Sequence, residues 1–157
     1  MAIVETDLAE ALQAWGDGLV AVSEAYDADG IEAARPIAAD MLDDLYAFDQ
    51  RPVLFKPTLA SGDQTFRPTK QGALSYFVAH DAEYPLDGGF ALKSWRSCRS
   101  ETAASFIDGN VAMWMGWVIV TDKDGQETKV DKSFGYQRDA DGVLRIVLHH
   151  SSLPFQP

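Results

Sequence analysis

Cysteine is nearly absent. The single thiol of 157 residues, Cys98, excludes an intrachain disulfide and a cysteine-rich zinc site. It stands in a strand-like run, where a buried and unreactive thiol is expected. Histidine is scarce too, with only His80, His149 and His150. No H-x-x-x-H or H-E-x-x-H spacing relates them, so no helical metal site is written into the chain. Basic charge is short: 13 Lys plus Arg stand against 24 Asp plus Glu, for a net charge of −11. Nucleic acid and anionic membrane surfaces need clustered positive charge, so neither is expected as a partner. A small anion in a local pocket stays open. No run approaches the roughly 20 apolar residues of a membrane span. No basic segment followed by an apolar one opens the chain, so a cytoplasmic protein is expected. A G-x-S-x-G elbow is missing, and Gly88-Gly89 is an isolated pair with no helix opening after it.

What is present reads as a single domain. Apolar periodicity at Leu8, Leu12, Trp15, Leu19, Val22 and Tyr26 predicts a helix over 7–28, with Asp7 and Glu10 at capping-box spacing. A second helix begins at Ile31 or at Pro36, carries Ile37, Met41, Leu45 and Phe48, and ends at Arg51-Pro52. Its acids Asp40, Asp43 and Asp44 read as a solvated face. Residues 53–56 form a short strand, 59–68 a polar loop, and Thr69 caps a third helix reaching Ala79. After a loop from Asp81 to Gly89, turn signals at Asp108-Gly109-Asn110, Asp124-Gly125 and Asp141-Gly142 divide the remainder into strands. Those strands are expected at 92–100, 102–107, 111–121, 127–138 and 143–151, in antiparallel arrangement. Helices followed by hairpins give an α+β fold, with the helices laid across one face of a strongly curved sheet and a conical pocket between them.

The last strand carries the chemistry. Val, Ile and Leu dominate 143–148, and the strand then ends in His149, His150, Ser151 and Ser152. Strand alternation puts Val143, Arg145, Val147, His149 and Ser151 on one face. His150 and Ser152 fall on the other, which argues against a metal site using both histidines. A carboxylate could complete a two-ligand site, but nothing in the chain selects one. A Ser–His relay inside the tetrapeptide fails for the same geometric reason. The remaining polar groups are neutral donors: Thr58, Tyr76, His149 and Ser151. Each has a plainer reading as a turn cap, a core aromatic or a partner of nearby backbone.

Four segments unite them: Phe55-Lys56-Pro57-Thr58, Ala73 to Val78, Lys129 to Tyr136, and Leu144 to Pro154. In these the chain resembles the iota-class carbonic anhydrases, a family similar to the association domain of calcium/calmodulin-dependent protein kinase II. The likeness runs from about residue 8 to 155. It implies an NTF2-like cone, carbon dioxide and bicarbonate as small-molecule substrates, and a site that works without bound metal. On the matching positions it implies Thr58, Tyr76, His149 and Ser151 as catalytic. Phe77 and Trp117 are expected to wall the pocket beside them. Asp131-Lys132-Ser133 stands where a more apolar or acidic run is expected. A homodimer is the expected assembly.

That chemistry is demanding. Zinc lowers the pKa of bound water from about 15.7 to about 7. An ordinary histidine base near 6.5 leaves a gap of about 9 units, roughly 12 kcal/mol. Attack and proton removal must therefore be concerted, with hydroxyl donors stabilising the developing bicarbonate. Two other classes compete: a non-catalytic NTF2-like oligomerisation or ligand-binding module, with Trp114, Trp117 and Phe134 at an interface, and a SnoaL-like isomerase with an Asp–His dyad in a wide pocket.

Overall fold

The computed structural model describes residues 1–157. Three helices open the chain: α1 (Glu5–Asp29), α2 (Ile31–Leu45) and, after the short strand β1 (Leu54–Lys56), α3 (Lys70–Val78). Four long strands follow: β2 (Trp95–Asp108), β3 (Val111–Asp122), β4 (Glu127–Arg138) and β5 (Leu144–Ser152). They form one five-stranded sheet in the order β1-β5-β4-β3-β2.

The helix starts follow local chemistry, with two shifts from expectation. Asp7 is not the cap of α1. The helix begins earlier, and the Asp7 carboxylate accepts a hydrogen bond from the Val4 amide at 2.8 Å. Pro36 lies inside α2, which starts at Ile31, and the helix stops at Leu45 instead of running to Arg51. Thr69 caps α3 as expected, its side chain accepting from the Gly72 amide.

The sheet departs from the expected strands in three ways. The two strands expected at 92–100 and 102–107 are one strand, bulged between Thr102 and Ala104. Gly116 faces that region, and a side chain there would run into the Glu101 carbonyl. β1 joins the sheet parallel to β5, pairing Phe55 with His149. A bulge also falls in β5: Leu148 pairs with Gly135 but Ile146 pairs with Tyr136, so Val147 is an extra residue. The expected alternation holds from His149 onward and inverts before it. Ile146, not Val147, therefore faces the core with His149 and Ser151.

The helices cover one face of the sheet. Leu19, Val22, Leu42, Val78, Val118, Val130 and Phe134 meet there in one core. Trp114 also lies in it, so Trp114 and Phe134 are core side chains and not an exposed interface.

Candidate active site

Two strands and one helix bring the site together. β5 delivers His149 and Ser151 inward, and β1 ends beside it, so that Thr58 follows the strand directly. The Thr58 and Ser151 hydroxyls are 2.6 Å apart. α3 turns Tyr76 toward them, and its phenol oxygen accepts the Leu59 amide at 3.2 Å. Lys56 Nζ donates to the Ser151 carbonyl at 2.8 Å, fixing the strand end. Thr58, Tyr76, His149 and Ser151 thus occupy one neighbourhood, though they come from positions as far apart as 93 residues.

They do not stand at equal depth. His149 is 1% exposed and Ser151 0%, whereas Thr58 keeps 8% and Tyr76 6%. Tyr76 also borders a cavity of about 140 Å³ together with Leu59, Leu86, Gly88, Gly89 and Phe90. An entering molecule would meet the Tyr76 side of the cluster first, with His149 and Ser151 behind.

Both ring nitrogens of His149 are engaged. Nδ1 lies 2.9 Å from the Tyr46 hydroxyl, and Tyr46 in turn accepts the Trp15 indole N–H at 2.8 Å. Nε2 lies 3.0 Å from Lys132 Nζ, which also donates to Ser151 Oγ at 3.1 Å. The imidazole is stacked on Phe55 at 4.5 Å and lies 4.6 Å from Phe134. Burial, then the Lys132 and His150 charges, hold its pKa well below the ordinary imidazole value. Burial likewise pushes the Tyr76 phenol up to about 12, against the Leu59 amide and the Thr58 hydroxyl, which favour the phenolate. Lys132 is the opposite case: burial brings its amine down to about 7.

Phe77 lies nearby, stacked with Phe55 and edge-on to Tyr76. Trp117 does not. It points to the outer face of the sheet, opposite the helices, where Lys129 Nζ sits 4.3 Å over its ring. Its neighbours Val118 and Val130 face the core instead. Sequence reasoning missed Tyr46, Trp15 and Lys132. Lys132 shares the inward face of the 127–138 run with Val130 and Phe134. That alternation was the one available signal for a buried lysine.

No group of three or more His, Cys, Asp or Glu side chains is placed to hold a metal ion. The donors that do converge are hydroxyls, an imidazole and an amine, a set suited to hydrogen-bonding a small oxyanion.

Fold and cluster together define an NTF2-like α+β protein with a small polar site under its helices. An NTF2-like protein of Pseudomonas putida KT2440 superposes with a TM-score of 0.57 at 17% identity, over 97% of this chain and 87% of that one, which speaks for the fold alone. Residues 6–153 match the metal-independent carbonic anhydrases, and the chain belongs to that family, the iota class, whose enzymes interconvert carbon dioxide and bicarbonate. The metal-independent carbonic anhydrase of Nostoc sp. (strain PCC 7120) is 51% identical over 155 residues, covering 99% of this chain and 76% of its own length. A crystal structure of the iota-carbonic anhydrase from a cyanobacterium, complexed with bicarbonate, superposes with a TM-score of 0.98 at 51% identity, over 99% of this chain and 95% of that one. The resemblance read from the sequence is borne out, and the isomerase and non-catalytic readings give way to it.

Proposed function

We propose that the interconversion of carbon dioxide and bicarbonate takes place at the Thr58–Tyr76–Ser151 hydroxyls, with His149 orienting them from behind. The observation that carries this reading is the 2.6 Å contact between Thr58 and Ser151 with Tyr76 anchored beside them through Leu59. His149 has no free nitrogen and its imidazole is a poor base, so it is assigned no proton from water.

Thr58 serves as a two-way shuttle. As water oxygen bonds to the carbon of carbon dioxide, one water proton passes to Thr58 Oγ1. In the same step the Thr58 proton passes to a carbon dioxide oxygen. The product is carbonic acid, which ionises to bicarbonate on meeting solvent. No separate hydroxide is formed, which avoids the cost of deprotonating water in advance. The Tyr76 phenol, un-ionised at neutral pH, donates to the oxygen on which charge builds. Phe77 and Phe90 supply the apolar side that accepts carbon dioxide. Hydroxyl donors hold a small planar anion without the grip of a fixed cation, which suits product release.

Stopped-flow hydration on chelator-treated protein of measured metal content tests this. Tyr76→Phe should lower kcat by about 100-fold or more, the scale of losing one transition-state donor. Ser151→Ala should lower it by at least about tenfold, since it acts through Thr58. Wild-type rates in both variants would dismiss the site.

We also propose a homodimer joined across the outer face of the sheet. Phe106 and Met115 are exposed there around a depression of about 210 Å³. Phe106→Glu should then sediment as a monomer where the parent sediments as a dimer. A cytoplasmic setting is the reading that one unpaired thiol favours.

A further inference from the structure

Beneath the hydroxyls lies a buried amine that the reaction as described leaves unused. We propose that Lys132 is a positioning residue held as a neutral amine, closing a one-way hydrogen-bond chain from Trp15 to Thr58 that aims the Thr58 hydrogen at substrate. The proposal rests on the site assigned above.

The direction of the chain follows from its first member. An indole N–H only donates. Trp15 therefore donates to Tyr46 Oη, and the Tyr46 hydrogen is left with one neighbour, His149 Nδ1 at 2.9 Å. If Tyr46 donates there, Nδ1 carries no proton, and a neutral His149 must carry its hydrogen on Nε2. Nε2 faces Lys132 Nζ at 3.0 Å. An ammonium has no lone pair, so two hydrogens would oppose each other across that gap. A neutral amine accepts the Nε2 hydrogen and still donates to Ser151 Oγ at 3.1 Å. Ser151 is then free to donate to Thr58, and Thr58 to whatever lies beyond. With Lys132 charged, the order fails: Nε2 must accept, Nδ1 must donate to Tyr46, and the buried Tyr46 hydrogen loses its only acceptor.

The surroundings pull both ways. Lys132 is 4% exposed, which disfavours charge, while the Trp15 ring 4.7 Å from its amine favours the ammonium. Burial is the largest influence on it and favours the uncharged form. Lys56 on β1 opposes its charge, while Cys98 on β2 and its neighbour Asp131 support it. Asp131 is engaged by the Ser152 hydroxyl at 2.6 Å. His149 faces it from β5, and α1 presents only Trp15 directly, with Asp17 beyond Cys98.

Two consequences separate a positioning role from a merely structural one. Protonating Lys132 leaves its donation to Ser151 in place but breaks the chain at His149 and Tyr46, so the imidazole behind the hydroxyls loses its fixed seat, and kcat for hydration should fall below about pH 7 with Lys132 as the titrating group. The hydrogen on His149 should reside on Nε2 whenever the enzyme is active. Nitrogen-15 NMR of the wild-type protein at pH 8 reads both groups without reference to activity. An unprotonated Lys132 and an Nε2–H His149 are expected. An ammonium at pH 8, or an Nδ1–H tautomer, overturns the proposal. In kinetics, Lys132→Arg installs a permanent cation and should cut kcat at least tenfold, with little change in KM and no residual acid limb. Lys132→Arg with wild-type kcat, or with the acid limb intact, also overturns it. If Tyr76→Phe and Ser151→Ala are impaired while Lys132→Arg is not, the chain fails and the site stands. If all three match wild type, the site itself is wrong.

Discussion

Lys132→Met should change the sign of its effect on stability as pH rises. In the unfolded chain this amine titrates near 10.5, and in the fold near 7. The folded state therefore binds fewer protons than the unfolded state between those values. Stability gained from this group rises with pH through that window, at up to about 1.4 kcal/mol per pH unit. Below about pH 7 the wild type carries the whole handicap, about 5 kcal/mol by the same conversion. Above about 10.5 the handicap is gone. Methionine fills a similar volume and never charges, so it removes the handicap. It also leaves His149 Nε2 without a partner, whereas Ser151 Oγ keeps the Thr58 hydroxyl. An unmade buried hydrogen bond costs about 1–3 kcal/mol. At pH 7 the variant should be the more stable by about 2–4 kcal/mol, and at pH 10.5 the less stable by about 1–3. The two curves should cross between about pH 8 and 10. Urea denaturation of both proteins across this range measures it, and their difference cancels other groups that titrate there. A difference that stays constant from pH 7 to 10 would refute the claim that burial depresses this amine.

Other expectations follow from single contacts. Arg67 and Asp87 form a two-pronged ion pair with side chains 3% and 5% exposed, and Ser75 also donates to Asp87. Asp87→Asn should cost about 3–5 kcal/mol in urea denaturation, because it strands a buried guanidinium. It should also speed amide exchange in the loop before Gly89. The buried Tyr136 hydroxyl has no partner. Tyr136→Phe should be neutral or stabilising by about 1 kcal/mol, read as a rise in Tm, and a clear loss would reveal a missed partner. Burial raises the Cys98 thiol to about 11. A disulfide reagent at pH 8 should label it slowly in the native protein and at once in urea, since only the thiolate attacks.

The chain by itself determined which segments are helices and strands, and why the last strand matters. Turn chemistry at Gly109 and Gly142 and a two-residue alternation are local properties, and they survive into the fold. His149 and Ser151 share a face because they lie two residues apart, whatever else surrounds them. The matching segments also carried the family and hence the reaction. Local pattern could not foresee a bulge, and Val147 shifts the first half of β5 out of the expected phase because its partner strand absorbs no matching residue. Nor could it tell that Trp117 would face away from the helices, where the choice depends on which side of the sheet they cover. The roles around His149 are tertiary throughout. Tyr46 reaches it from 103 residues away and Lys132 from 17. A lysine in a sequence is a cation by default. Only a fold that buries it and sets an imidazole nitrogen against it gives the amine a reason to stay neutral.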